Sequence, residues 1–98
     1  MYFITGIHVK KDSSPELFDE QRCFGYYHSL LHAILEVCDN ECDIHENYYK
    51  YMVIEQIEEG IHPVVLDEVW YVWVECGQCY IPTDRPACVD NYCNFALG

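Results

Sequence analysis

The pairing in this chain that most directly suggests chemistry is Cys76-Gly77-Gln78-Cys79. With Cys88 and Cys93 it reads CxxC, eight residues, Cys, four residues, Cys. Four thiolates converging from two loops would suit zinc, which asks for little beyond a closed tetrahedron of soft ligands. Two features argue against that use: the second pair is spaced by four residues, and no glycine follows Cys79 to open a knuckle. Thioredoxin-type chemistry fares worse. It needs the first thiol at a helix N-terminus, where the dipole lowers its pKa, and Tyr80-Ile81-Pro82-Thr83-Asp84-Arg85-Pro86 cannot continue as that helix. Gly77-Gln78 instead has the composition of a two-residue type II′ hairpin turn, with Gly at the first central position. This reading places Cys76 and Cys79 opposite each other across a hairpin and expects no metal and no cofactor.

Other candidate groups are scattered. Cys38-x3-Cys42-x2-His45 mixes ligand types, but Cys38 sits in an apolar helical pattern and reads better as a small hydrophobe. Of His8, His28, His32, His45 and His62, only His28 and His32 share helical spacing, and His28 precedes the helix. No GxSxG elbow, phosphate-cradling GxGxxG or GxxxxGK occurs. The residues give no reason to expect an enzyme.

Charge is more informative. Seventeen acids against five bases give a net charge of −12, which repels phosphate backbones and acidic lipid surfaces and excludes direct nucleic-acid or membrane binding as the expected activity. Ten carboxylates, at 36, 39, 41, 43, 46, 55, 58, 59, 67 and 68, share their stretch with a single base, Lys50. If the helix end, the connection after it and the Glu58-Glu59 turn lie on one side, they form an acidic rim. Asp39, Glu41, Asp43, Glu46, Glu58 and Glu59, with Tyr48, Tyr49, Trp70 and Trp73, are then the expected partner-binding residues. Spaced carboxylates of this kind engage Lys and Arg that otherwise meet phosphates. A solvated face that binds nothing is the plain alternative.

These groups must be positioned by a single domain, residues 1–98, of a length that can bury about two-thirds of its unfolded surface. Seven cysteines, an odd number, and no basic-then-apolar leader suggest reduced thiols in a cytoplasm. No apolar run approaches the ~18 residues that span a bilayer.

Tyr2 to Val9 reads as a first strand, rich in aromatic and β-branched residues, and Lys10 to Glu20 as a polar loop. Arg22 to Tyr27 pairs back as a short second strand interrupted by Gly25. From Ser29, a plausible N-cap, the period changes: Leu30, Leu31, Ile34, Leu35 and Cys38 fall on one side of a helix that Asp39-Asn40 ends, and His28, His32, Glu36 and Asp39 point away. Tyr48 to Ile57 is a long strand. Val69 to Val74 is another, with Val69, Tyr71 and Trp73 on one face and Trp70, Val72 and Val74 on the other, so both faces need cover. Asn91 to Leu97 can add an edge strand. This order predicts an α+β fold: an antiparallel sheet of about four to six strands with one main helix, 29–39, packed on one face.

The segments Arg22-x-Phe24-Gly25-Tyr26-Tyr27, Asp43-Ile44-x-Glu46, Tyr49-x-Tyr51-x-Val53-Ile54-Glu55, Glu59-Gly60-Ile61-x-Pro63 and Asn94-Phe95-Ala96-x-Gly98 together resemble a loose group of small, functionally uncharacterised proteins of Firmicutes and their phages. The resemblance implies a bacterial or phage intracellular setting and supplies no activity or site residues. The expectation is a non-catalytic binding protein, such as a phage-encoded inhibitor, that blocks a basic or nucleic-acid-binding protein. Two alternatives stand beside it. One is an oligomer that sequesters a nucleotide-like ligand in aromatic pockets around Tyr26, Tyr27, Trp70 and Trp73, and the other is a zinc protein using Cys76, Cys79, Cys88 and Cys93. Metal analysis of protein purified without chelator should find far less than one zinc per chain, and a stoichiometry of about one would overturn the hairpin reading of the CxxC.

Overall fold

A computed structural model describes residues 1–10, 15–39, 49–58, 65–89 and 95–96. Six consecutive buried residues, Ile4 to Val9, mark β1 (Tyr2–Val9) as an interior strand. It lies between β2 (Phe18–Tyr27) and β3 (Tyr51–Ile57), and the antiparallel sheet continues through β4 (Val65–Val74) to β5 (Cys79–Thr83), in the order β2-β1-β3-β4-β5. One helix, α1 (Leu30–Asp39), joins β2 to β3. The fold is α+β, as the alternation of periods predicts. β2 starts earlier than its sequence pattern suggests, at Phe18, because Phe18 to Glu20 pair with the end of β1.

Strand alternation divides the sheet into two apolar faces. On the first, Ile4, Met52, Ile54, Tyr71 and Tyr80 meet Ala33 and Val37 of α1, with Val69 and Trp73 packed alongside. Ser29 caps the helix, its Oγ accepting the His32 amide at 3.5 Å. The helix is rotated from the expected face. Ala33 and Val37 are buried while Leu31 and Leu35 remain 62 % and 46 % exposed. The apolar arc of α1 is wider than the strip the sheet can cover, and Ala33 and Val37, smaller than the leucines and isoleucine beside them, allow a close approach and take the centre.

On the second face Ile7, Val53 and Trp70 are covered by Val89, from a single 3-10 turn (Ala87–Val89), and by Phe95. Both faces of the Trp strand are therefore covered, as its composition requires. Phe95 and Ala96 do not form the expected edge strand; they lie across this face.

Two details set local geometry. Ile4 pairs with Gly25 and Thr5 with Cys23, so Phe24 is an extra residue in β2. This bulge sends Phe24 to the helix face with Tyr27, where its ring meets Tyr49 edge-on at 5.3 Å. Both rings lie over Gly6, whose absent Cβ would stand 2.8 Å from Phe24 and 2.9 Å from Tyr49. At the other hairpin, Val74 pairs with Cys79, leaving four loop residues in place of the expected two. Gln78, at φ 52°, takes the left-handed position, and its amide donates to the Glu75 carbonyl at 3.3 Å. Cys76 therefore does not face Cys79: Val74 does.

Gly6→Ala forces aromatic rings off a close contact and should lower stability by about 1–3 kcal/mol. Gly77→Ala, which meets one flexible thiol at 3.3 Å, should be far milder in the same denaturant titration.

Candidate functional site

The most constructed polar cluster lies on the second face and centres on Glu55. Alternation along β3 points Tyr51, Val53 and Glu55 to this side, in register with Phe3 on β1 and Glu68 on β4. A carboxylate thus stands in a row of apolar residues and is 0 % exposed. Its oxygens accept the Phe95 amide at 3.2 and 3.1 Å and the Ala96 amide at 3.0 Å. Gln21 of β2 donates from Nε2 to the Phe95 carbonyl. The Phe95 ring packs edge-on against Trp70 at 5.3 Å. Residues 95–96 are therefore held by side chains of three elements that read their main chain and fill their aromatic pocket.

Glu68 faces Glu55 across the strands but has its own partner. Arg85 donates from Nη1 to both Glu68 oxygens at 2.9 and 3.1 Å and from Nη2 to the Val89 carbonyl at 2.7 Å, and Trp70 Nε1 donates to Glu68 at 2.9 Å. The guanidinium also lies over the Trp70 and Phe95 rings, at 5.9 and 5.7 Å. Loss of hydration raises the Glu55 pKa; the two amides oppose that shift, Glu68 adds to it and Arg85 reduces it. Two nearby carboxylates with different environments have the outline of an acid/base pair. Here the oxygens of Glu55 are occupied by main-chain amides beneath Phe95, so the arrangement fastens a chain segment.

The expected partner-binding residues are dispersed. Asp39 is exposed at the end of α1 and Glu58 is exposed just past β3. Cys38, beside Asp39, packs on the first core near Tyr71, which pairs with Met52 near the start of β3. Glu58 follows the opposite end of that seven-residue strand, so roughly 20 Å of sheet separates the two acids. Asp39 and Glu58, the two acids of the expected rim among the described residues, therefore lie towards opposite ends of β3 and do not share one edge. Glu55, counted among the rim carboxylates, is buried. Tyr49 and Trp70 are 7 % and 4 % exposed and belong to the cores; Tyr80 donates its hydroxyl to the Tyr49 carbonyl at 2.8 Å. Trp73 is half-buried on the helix face against Tyr80. Glu41, Asp43, Glu46, Tyr48 and Glu59 lie outside the described residues.

The thiols are likewise apart. Cys76 is exposed in the hairpin loop, Cys79 begins β5, Cys88 packs against the second core, and Cys93 lies outside the described residues. Cys38 is half-buried against the first core, the use its helical position suggests, and burial with the adjacent Asp39 pushes its thiol pKa up. Among the described residues no three His, Cys, Asp or Glu side chains gather to hold a metal, and no helix is long and apolar enough to cross a membrane. Comparison of the chain with known protein families, curated proteins and solved structures gives no match in any of the three.

Sequence reasoning missed the Glu55 cluster, although a signal existed. An acid flanked by Val53, Ile54 and Ile57, in a strand apolar on both faces, has no solvated side to occupy. Glu55→Ala removes the acceptor of two amides and should cost about 2–4 kcal/mol in a denaturant titration. Glu55→Gln, which keeps one oxygen in place, should lose much less.

Proposed function

We propose that this protein is a non-catalytic binding protein that presents carboxylates to a basic protein surface, as an inhibitor of a nucleic-acid-binding protein would. The observation that carries the reading is how the bases are used in a chain of charge −12. Of five, Lys50 is paired with Glu16 and lies over the Tyr51 ring, and Arg85 is paired with Glu68. Exposed carboxylates among the described residues include Asp39, Glu58, Asp67, Glu75 and Asp84. Negative field extends from both ends of the sheet, with Asp39 and Glu75 at one and Glu58 and Asp67 at the other. Such a field accelerates encounter with a basic partner and is attenuated by salt. The resemblance to small proteins of Firmicutes and their phages fits a cytoplasmic blocker of this kind.

Because these four described acids fall at two ends of the sheet, one end can serve as the contact while the other contributes only long-range attraction. Titration calorimetry against a lysine-rich DNA-binding protein should show binding that weakens with salt and is competed by duplex DNA. Asp39→Asn and Glu58→Gln, tested separately, should differ, with the substitution at the contacting end costing up to about 1 kcal/mol, or roughly fivefold in affinity. An affinity indifferent to salt and to both substitutions would sink the proposal.

A further inference from the structure

β4 is twice as long as β5, the strand that borders it. β5 pairs with Trp70 to Val74, and among the described residues Val65 to Val69 has a neighbouring strand only in β3. Pro82 fixes which way the main chain of this half points. Proline has no N–H, and it stands opposite Tyr71, so the ladder bonds between β4 and β5 belong to the pairs on either side, Trp70 with Thr83 and Val72 with Ile81. The Trp73 amide, of the opposite parity, donates away from β5, to the Lys50 carbonyl just before β3 at 2.9 Å. Alternation then turns the amide and carbonyl of Glu68 outward, in line with β5 but past its end.

That outward amide is met by a side chain. Glu68 N–H donates to Asp67 Oδ1 at 2.9 Å, at the exposed surface. The carboxylate thus stands where the carbonyl of a neighbouring strand stands elsewhere in the sheet. Its surroundings select what can replace it. Asp67 is exposed, as is Asp84, one residue past the Thr83 that pairs with Trp70, and Glu58 is exposed one residue past Ile57, the partner of Val65. The base at this edge among the described residues, Arg85, is bonded to the Glu68 carboxylate and the Val89 carbonyl. Leu66, beside Asp67, is 56 % exposed and offers an apolar contact at the same place.

We propose that the uncovered half of β4 is a docking edge for an extended, lysine- or arginine-bearing segment of a basic protein, which adds a strand in line with β5. The inference rests on the reading of this chain as a binder of basic proteins and names how the partner is held. A carbonyl of the incoming segment accepts the Glu68 amide, and Asp67, released from that amide, pairs with a cation on the segment. Main-chain bonds hold the added strand, and the acids around it select for positive charge.

A short peptide alternating lysine and threonine is the probe. Its affinity, followed by fluorescence anisotropy of the labelled peptide at physiological salt, should fall about tenfold or more when its main-chain amides are N-methylated, because the charge is unchanged and only the ladder is lost. Asp67→Asn should weaken binding roughly twofold to fivefold, and Asp39→Asn, at the other end of the sheet, should leave it unchanged. Exchange of the Glu68 amide should slow in the complex. Equal affinity for the methylated peptide, a loss in Asp67→Asn no greater than in Asp39→Asn, or no binding of the peptide at all would each overturn the docking edge. Salt-dependent binding of the lysine-rich DNA-binding protein alongside any of these results leaves the reading of the acidic surface standing without the edge. If that protein does not bind either, both fall.

Discussion

A carboxylate fully removed from water in the middle of a sheet is expensive unless its lone pairs are met. Glu55 meets its requirement with the main-chain amides of Phe95 and Ala96, which come from 40 and 41 residues further along the chain. The second face of the sheet depends on that exchange. Without the segment, Trp70 would lose its edge-on aromatic partner and the second core would lose Phe95. The acid also needs the segment, since the strand on which it sits is apolar on both sides. Each therefore accounts for the presence of the other, and neither is legible alone.

The same logic explains the paired acid. Glu68 stands directly across from Glu55, and two like charges in cross-strand register destabilise a sheet. Arg85 resolves the conflict by neutralising Glu68, and the indole of Trp70 donates to the same oxygen. One guanidinium thus bonds the Glu68 carboxylate and the Val89 carbonyl while covering the Trp70 and Phe95 rings. Substituting a lysine, with a single ammonium and no planar fork, would not reproduce all of these contacts.

Much of this architecture was visible in residue order. Tyr2 to Val9 and Val69 to Val74 are strands because their β-branched and aromatic content leaves no other economical packing, and the change of period at Ser29 marks the helix. The division into two cores was implied by a Trp strand apolar on both faces. What could not be read was which residues supply the second cover: Phe95 lies in a segment whose pattern suggested an edge strand, and only the three-dimensional pairing shows that it crosses the face. The rotation of α1 was hidden for a related reason. Leu31 and Leu35 fit the helical period as well as Ala33 and Val37 do, and the choice between them is made by how closely the helix can approach Tyr71 and Tyr80, a property of the sheet.

The site was less legible than the fold, because proximity in sequence is a poor guide to proximity across a sheet. Acids from Glu36 to Glu68 look like one cluster, yet β3 runs through the middle of that stretch and separates Asp39 from Glu58, while alternation turns one member, Glu55, inward. A charge run interrupted by a strand should accordingly be read as two surfaces and an interior question: which carboxylate shares a face with the core, and what main chain comes to meet it. Here the answer lies at the far end of the chain, in two amides, and it converts a residue counted as surface charge into the fastening of the second core.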